Sequence, residues 1–340
     1  MAPGWLWARQ PDTDSTIFDH SLDPCLAACQ RRLVNLPMRR GLLIYNPAAG
    51  SGRHLGRLPA ILRILRDGGI DCEAVATKNH GHATVLAREI VTEGSAEIVL
   101  SYGGDGTTRE VAAGLLGSSV ALGVIPGGTT NVVRIALGLP ARPEQAAMRL
   151  CQLSARSMDV GLCNGKPFLM QASVGSVAHV MARVQGRWLK AKFGMAGVLA
   201  AGVPAFFDYG FPEIEAEIDG RLAHAYSVMV CNISELAGPY RIVPAGRHDD
   251  RQLEVVLFHG KGFLAEASFS IDLYRGRHAS RPDVEIRPMS LVRILGPSRG
   301  LALQIDGDAI AAELPVELRL ADERLLVLAE PNQPGAVLAG

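Results

Sequence analysis

Between residues 98 and 138 the chain reads IVLSYGGDGTTREVAAGLLGSSVALGVIPGGTTNVVRIALG, and one device occurs in it twice. Each half has an apolar, β-prone run (98–102, then 120–125) that enters a glycine-rich turn and leaves it through threonines into helical spacing. Both halves predict strand, turn, helix. Gly103, Gly104 and Gly106 open one helix and Gly127 and Gly128 the other. A backbone freed of side chains in this way can approach an anion closely, and a helix N-terminus favours phosphate. Asp105 stands inside the first turn. A carboxylate facing phosphates is repulsive unless a metal, water or hydroxyl stands between them, which suggests Mg²⁺. The plain alternative is that Asp105 caps the helix starting at Thr107 or Thr108.

The 340 residues suffice for two domains with a packed core. Lysine plus arginine equals aspartate plus glutamate at 34 each, so no overall basic field argues for nucleic acid. Six scattered cysteines form neither a CxxC nor a zinc spacing and read as reduced, mostly buried thiols. No stretch reads as a membrane span: the weakly charged run 193–209 is broken by Gly194, Gly197, Gly202 and Pro204. Residues 1–38 lack the order of a signal peptide and read as a poorly ordered extension, with Trp5 and Trp7 in it.

From Arg39 the alternation of strands and helices predicts a parallel α/β sheet with ligands at the carboxyl ends of its strands. A strand at 41–45 enters Asn46-Pro47-Ala48-Ala49-Gly50-Ser51-Gly52-Arg53, a third glycine-rich turn before a helix at 55–67. It is neither a Walker loop nor GxGxxG. A second strand spans 70–77, followed by a helix at 84–93, and His80 and His82 lack a nearby carboxylate that would favour a metal reading. After a helix at 144–153, short alternating segments replace this rhythm (Met158 onward, 168–173, 214–218, 226–232, 253–258, 284–287, 291–295, 301–305) and predict an antiparallel sheet or sandwich. Helices are expected near 177–201 and 263–275, and the strand at 325–329 is expected to return to the first domain.

Gly103-Gly104-Asp105-Gly106-Thr107 with Arg109-Glu110-Val111, followed by Ile125-Pro126-Gly127-Gly128-Thr129-Thr130-Asn131, resembles the catalytic domain of the diacylglycerol and sphingosine kinases, above all their small bacterial relatives. The resemblance covers about residues 40–330. It implies an N-terminal domain of the NAD kinase/phosphofructokinase type (39–156, joined by 321–333), a C-terminal β-sandwich-like domain (157–320) and an active site in the cleft between them. It also implies ATP and Mg²⁺ as cofactors. Asn46, Pro47, Ala48, Ala49, Gly50, Arg53, Thr77, Gly103, Gly104, Asp105, Gly106, Thr107, Thr108, Arg109, Gly128, Thr129 and Asn131 would hold the nucleotide. By position, Asp250 with the carbonyls of Arg247 and Gln252 matches a structural metal loop; Asp159 matches a family aspartate at the domain crossing, close to the cleft, and counts with Asp105 among the implied metal-binding acids.

In Gln304-Ile305-Asp306-Gly307-Asp308 the family carries Asp-Gly-Glu. Asp306 is the expected base that takes the proton of a lipid hydroxyl, and Asp308 the alternative acceptor or positioning acid. Without the family, Asp-Gly is simply a hairpin turn. The chain departs from the family at Val132 (usually Asp), Met170 and Val177 (often Asn and Asp), Arg251 (usually Gly) and Asp308. The implied activity is transfer of the γ-phosphate of ATP to a hydroxyl of diacylglycerol, ceramide or a sphingoid base, in lipid metabolism. The implied setting is cytoplasmic, at the inner membrane face, with peripheral membrane contact, no nucleic acid, and a homodimer left open. The run 193–209 would line an acyl groove or serve as ordinary core. A soluble NAD kinase-type enzyme shares the pentapeptide, yet the Asn-Glu pair it needs for a ribose is absent. An idle nucleotide- or lipid-binding regulator is the other alternative.

Overall fold

Strands β1 (Arg39–Tyr45), β2 (Ile70–Ala76), β3 (Ile98–Gly103) and β4 (Ala121–Pro126) form from the apolar runs of the first half, and β3 and β4 are buried along their whole length. A parallel strand covered by helices on both faces tolerates such an uninterrupted apolar run. The computed structural model describes residues 38–331 except 53, 129, 177, 180–208, 238–239, 298–300 and 312. The N-terminal extension, the helix expected at 177–201, nearly all of the run 193–209, Arg53 and Thr129 lie outside the described residues.

The first sheet has the order β2-β1-β3-β4-β20-β5, in which β20 (Leu325–Leu328) is parallel to β4 and β5 (Ala155–Met158) closes the edge antiparallel to it. Its helices are α1 (Leu58–Asp67), α2 (His82–Glu93), α3 (Asp105–Leu115), α4 (Val132–Ala136) and α5 (Pro143–Leu150). The helix expected at 55–67 divides into a 3-10 turn, Leu55–Arg57, and α1, whose start carries Pro59 where a missing N–H does no harm. Helices α2 and α3 approach closely at Gly114, where an added Cβ would stand 2.6 Å from that of Ala87.

The second half builds two antiparallel six-stranded sheets and a small ribbon of β12 (Glu235–Ala237) and β13 (Tyr240–Arg241). One contains β10 (Arg221–Ala225), β9 (Ile214–Ile218), β16 (Leu291–Gly296), β19 (Val316–Leu320), β6 (Gly161–Cys163) and β7 (Lys166–Phe168). The other contains β15 (Val284–Met289), β14 (Leu253–Phe258), β11 (Ser227–Cys231), β8 (Gln171–Gly175), β17 (Leu303–Ile305) and β18 (Asp308–Ile310). The period of two sorts β11: Val228 and Val230 enter the core between the sheets with Val174, Val255, Ile294 and Leu318, while Met229 and Cys231 face outward. Helix α6 (Phe263–Tyr274) covers that outer face through Phe269 and Leu273. The chain is therefore a two-domain α/β protein, a parallel sheet followed by an antiparallel sandwich.

Candidate functional site

The carboxyl ends of β1, β3 and β4 bring the three glycine-rich turns into backbone contact. The Asn46 N–H donates to the Tyr102 carbonyl at 3.1 Å, and its side chain folds into the turn, accepting the Ala48 N–H at 2.9 Å and donating to Thr107 Oγ1 at 3.4 Å. Pro47 and Ala48 therefore follow an Asx turn, and Ala49 enters a single 3-10 turn, Ala49–Gly52. Gly50 has φ +52°, and a Cβ there would stand 2.6 Å from the Gly127 carbonyl oxygen; at Gly128 it would stand 2.6 Å from Gly104 Cα. The Gly127 N–H donates to the Gly103 carbonyl at 2.8 Å. Asn131 sits in the left-handed region (φ 48°) and clamps Gly128, accepting its N–H at 3.1 Å and donating to its carbonyl at 2.7 Å. The result is a cradle of backbone in which a side chain on Gly50 or Gly128 would collide, beside the N-terminus of α3. Thr77 stands at the rim, its N–H donating to the Tyr45 carbonyl at 2.8 Å.

Several of the expected nucleotide contacts also have local partners. Thr107 and Thr108 are buried; the Thr108 hydroxyl lies 3.0 Å from that of Ser101 and 3.3 Å from the Gly104 carbonyl, so it secures the turn from behind. Asp105 begins α3, and its carboxylate accepts the Thr130 hydroxyl at 3.2 Å and the Val133 N–H at 3.1 Å. It ties the first turn to the start of α4, as a cap does, on a helix other than its own. Arg134 is its neighbour: burial lowers the guanidinium pKa, and the charge of Asp105 works the other way. Thr130 and Arg134 were not singled out in the sequence, although both lie within five residues of the expected Thr129. His80, thought to lack an acid, has Glu110 at 3.6 Å.

On the sandwich side, Asp306 and Gly307 form the two-residue turn between β17 and β18, with φ +51° and +84°. Both signs are those of a type I′ hairpin. In this conformation the Asp306 side chain folds back into the protein. It is buried and accepts the N–H groups of Leu169 (2.9 Å), Met170 (2.8 Å) and Gln171 (3.0 Å). Burial pushes its pKa up to about 6, against those three donors and the nearby charge of Arg109. The expectation that Asp306 is the base therefore meets a contrary geometry, since both oxygens are taken up inside the fold. Asp308 is half-buried. Its Oδ2 accepts Arg109 Nη2 at 2.7 Å and comes within 3.6 Å of where a Cβ on Gly106 would be, while its other oxygen accepts no hydrogen bond among the described residues. That ion pair joins the helix of the first glycine turn to the hairpin of the sandwich.

The metal expectations divide. At Asp105 a carboxylate stands in the first glycine turn with one hydrogen bond accepted at each oxygen among the described residues, which leaves lone pairs for a cation, and Mg²⁺ is commonly held by one or two carboxylates together with substrate phosphates, so the donor chemistry fits. At the second-domain loop it does not fit. Asp159 is buried, accepts the backbone N–H of Arg251 at 2.6 Å, and has the guanidinium groups of Arg251 and Arg324 at 3.4 and 3.8 Å. Asp250 accepts the N–H of Gln252 at 3.1 Å, and the Arg247 side chain pairs with Asp249 at 3.0 Å. Arginine cations occupy this corner, and Arg251 adopts φ +64° in the place where the family has glycine. Among the described residues no three His, Cys, Asp or Glu side chains gather as a metal site.

Residues 40–163 match the diacylglycerol kinase catalytic domain, and residues 171–329 match the YegS C-terminal NAD kinase β-sandwich-like domain. A diacylglycerol kinase of Bacillus subtilis (strain 168) is 27% identical over 276 residues, covering 80% of this chain and 90% of the relative. One from Staphylococcus aureus (strain MRSA252) is 27% identical over 299 residues, covering 86% and 93%. A crystal structure of a candidate diacylglycerol kinase from Bacillus anthracis (strain Sterne) superposes with a TM-score of 0.73 at 23% identity, covering 93% of this chain and 99% of that one, a likeness of fold. With both domains matched in order across nearly all the described residues, the chain belongs to the diacylglycerol kinase family, phosphotransferases with an alcohol acceptor.

Proposed function

We propose that the protein transfers the γ-phosphate of ATP to a hydroxyl of a neutral long-chain lipid, with diacylglycerol as the acceptor its relatives' names suggest. The observation that carries this reading is the Arg109–Asp308 pair, which sets a half-buried carboxylate beside the turn that would hold the phosphates. Phosphoryl transfer needs little covalent chemistry from a protein and mostly positioning and charge stabilisation. The cradle walled by Gly50, Gly104, Gly127 and Gly128 would admit the polyphosphate to the N-terminus of α3, whose first-turn N–H groups have no partner within the helix. Mg²⁺ on Asp105 and the phosphates would neutralise charge developing on them. Arg109 fixes one oxygen of Asp308, and the other is left to accept the proton of the attacking hydroxyl. Asp306 acts as a positioning residue, pinning the hairpin so that Asp308 meets α3.

The test is to incubate the protein with γ-labelled ATP and a panel of diacylglycerol, ceramide, sphingosine and NAD. Label is expected in a chloroform-soluble product of diacylglycerol and absent from NADP. Label in NADP alone overturns the lipid reading, and label in ceramide or sphingosine alone moves the acceptor.

A further inference from the structure

Helix α6 is apolar on two faces. One is spent on the sandwich: Phe269 and Leu273 pack with Met229, Val256 and Phe258. The opposite face carries Leu264, Ile271 and Tyr274, which are 81%, 52% and 71% exposed. These positions fall at i, i+7 and i+10, one stripe of a helix, with the small Ala267 and Ser268 between them, the Ser268 hydroxyl accepting Arg281 Nη1 at 2.7 Å. The Tyr274 ring rests against Tyr240 at 5.4 Å between centroids, which makes an aromatic pair at one end of the stripe.

What flanks the stripe identifies its occupant. Lys261 precedes the helix, and Arg275 and Arg277 follow it; all three are exposed and none is in an ion pair among the described residues. The acids nearby are paired or hidden: Asp272 and Asp283 share the single cation Arg281, which leaves one negative charge in excess against the three cations, and Glu266 is buried with its carboxyl on Ser176. An apolar stripe ending in tyrosines and bounded by cations outside any ion pair, of which Lys261 lies over the Tyr226 ring at 5.4 Å, complements an anionic bilayer. The aliphatic groups enter the acyl boundary, the phenols rest at headgroup depth, and the cations meet lipid phosphates. We infer that α6 is the surface through which this protein lies on an anionic membrane. Why the chain would carry such a face rests on the lipid-kinase reading; that the face is there rests on α6 alone.

Vesicle co-sedimentation of the full chain, without nucleotide, tests it. The parent protein is expected to sediment with phosphatidylglycerol/phosphatidylcholine vesicles and much less with phosphatidylcholine alone. Leu264→Glu with Ile271→Glu should lower the bound fraction roughly tenfold or more, the scale of losing two apolar side chains from the interface. Arg275→Glu with Arg277→Glu should abolish the preference for the anionic vesicles and its sensitivity to salt. All four side chains are exposed, and phosphorylation of a short-chain, water-dispersed diacylglycerol should stay at the parent level in both variants. Absent vesicle binding by the parent, or unchanged binding by both variants, overturns the inference. So does light scattering that shows a dimer in the parent and a monomer in Leu264→Glu, because a second copy would then cover the stripe. If the parent binds vesicles through α6 and phosphorylates no lipid, the kinase reading fails and the membrane surface stands.

Discussion

The glycine-turn edge of the parallel sheet and the acid hairpin of the sandwich meet in one ion pair, yet they are built on opposite terms. At the first, function depends on side chains being absent: Gly50, Gly104, Gly127 and Gly128 lie so close that added Cβ atoms at Gly50 and Gly128 would stand 2.6 Å from neighbouring backbone. At the second it depends on two carboxylates, two residues apart, being given unlike surroundings. Asp306 turns inward onto three backbone N–H groups, and Asp308 turns toward Arg109 with one oxygen uncommitted. A backbone site is fixed as soon as its loops form. A side-chain site must also be told which way each chain points, and here a positive φ at Asp306 does so.

The sharpest way to break this contrast is to neutralise each acid of the hairpin in turn. Asp308→Asn should lower kcat by about 10²- to 10⁴-fold, the range for loss of a general base, with ATP affinity little changed. Asp306→Asn should act on the fold first. An amide offers one acceptor oxygen where the carboxylate offers two, so at least one buried N–H loses its partner, and about 1–3 kcal/mol of stability should go with it. Turnover with diacylglycerol micelles and chemical denaturation, measured on both variants, decide the matter. A stable Asp306→Asn that has lost turnover, beside an active Asp308→Asn, would exchange the two roles.

At the other pole of the comparison, Gly128→Ala should close the cradle while leaving the domains folded. The new methyl group meets Gly104 Cα, and main chain must shift to admit it. An increase of at least about tenfold in the Kd for ATP is expected, equivalent to about 1.4 kcal/mol. Calorimetric titration with a non-hydrolysable ATP analogue reads this directly. Unchanged affinity would mean that the polyphosphate does not lie between the first and second turns.

These two poles were unequally legible. The glycine turns could be read because their information is local: a strand, two or three glycines and a threonine-led helix start stand together in sequence. The sandwich could be read as a class, because segments such as Ile214-Glu215-Ala216-Glu217-Ile218 alternate apolar with charged residues. Its strands β10, β18 and β19 escaped: β18 has three residues and a polar first position and so gives little signal, whereas Val316-Glu317-Leu318-Arg319-Leu320 of β19 does alternate and was legible in principle. The inward turn of Asp306 was hidden for another reason. Its three partners, Leu169 to Gln171, lie some 135 positions away, and no local pattern reports a hydrogen bond at that separation. The arginine-filled corner was half legible, for Arg251 in the place of a glycine marked the departure without showing that its guanidinium would meet Asp159.

That corner supplies a smaller test. Asp159 is buried beneath Arg251 and Arg324, and removing one partner of a buried pair strands the charge. Because the Arg251 side chain is one-third exposed, the loss should fall at the modest end, about 1–2 kcal/mol for Arg251→Ala by denaturation. Chelation of divalent metal should by contrast leave the Tm of the nucleotide-free protein within about 1 °C, on the order of the resolution of a small ΔΔG. A fall of several degrees with chelator would return a structural cation to this loop.

The smallest expected effect concerns a buried carboxyl that belongs to neither pole, and it separates fold energetics from the site. Glu266 lies on the buried side of α6, and burial pushes its pKa up to about 7 in spite of the Ser176 hydroxyl, which favours the ionised form. The folded state therefore holds this proton more tightly than the unfolded state, whose carboxyl titrates near its ordinary value of 4.5. Below that value both states are protonated and the group's full contribution is present. As pH rises through about 7 the buried carboxyl must ionise in place, and the contribution is lost. Glu254 and Asp306 carry the same sign. His248 carries the opposite one, its pKa lowered by burial, so it resists protonation and offsets the gain below about its ordinary value of 6.5. The window in which the carboxyls act unopposed is thus pH 6.5 to 8, where Tm should fall as pH rises. Glu266→Gln removes one titrating group and should flatten that fall by about 2–4 °C, the equivalent of about 1 kcal/mol in a protein of this size or a little smaller. A slope in the variant equal to that of the parent would place the titration on the other two carboxyls, and a Tm that rises over this window would mean that Glu266 is ionised in the fold.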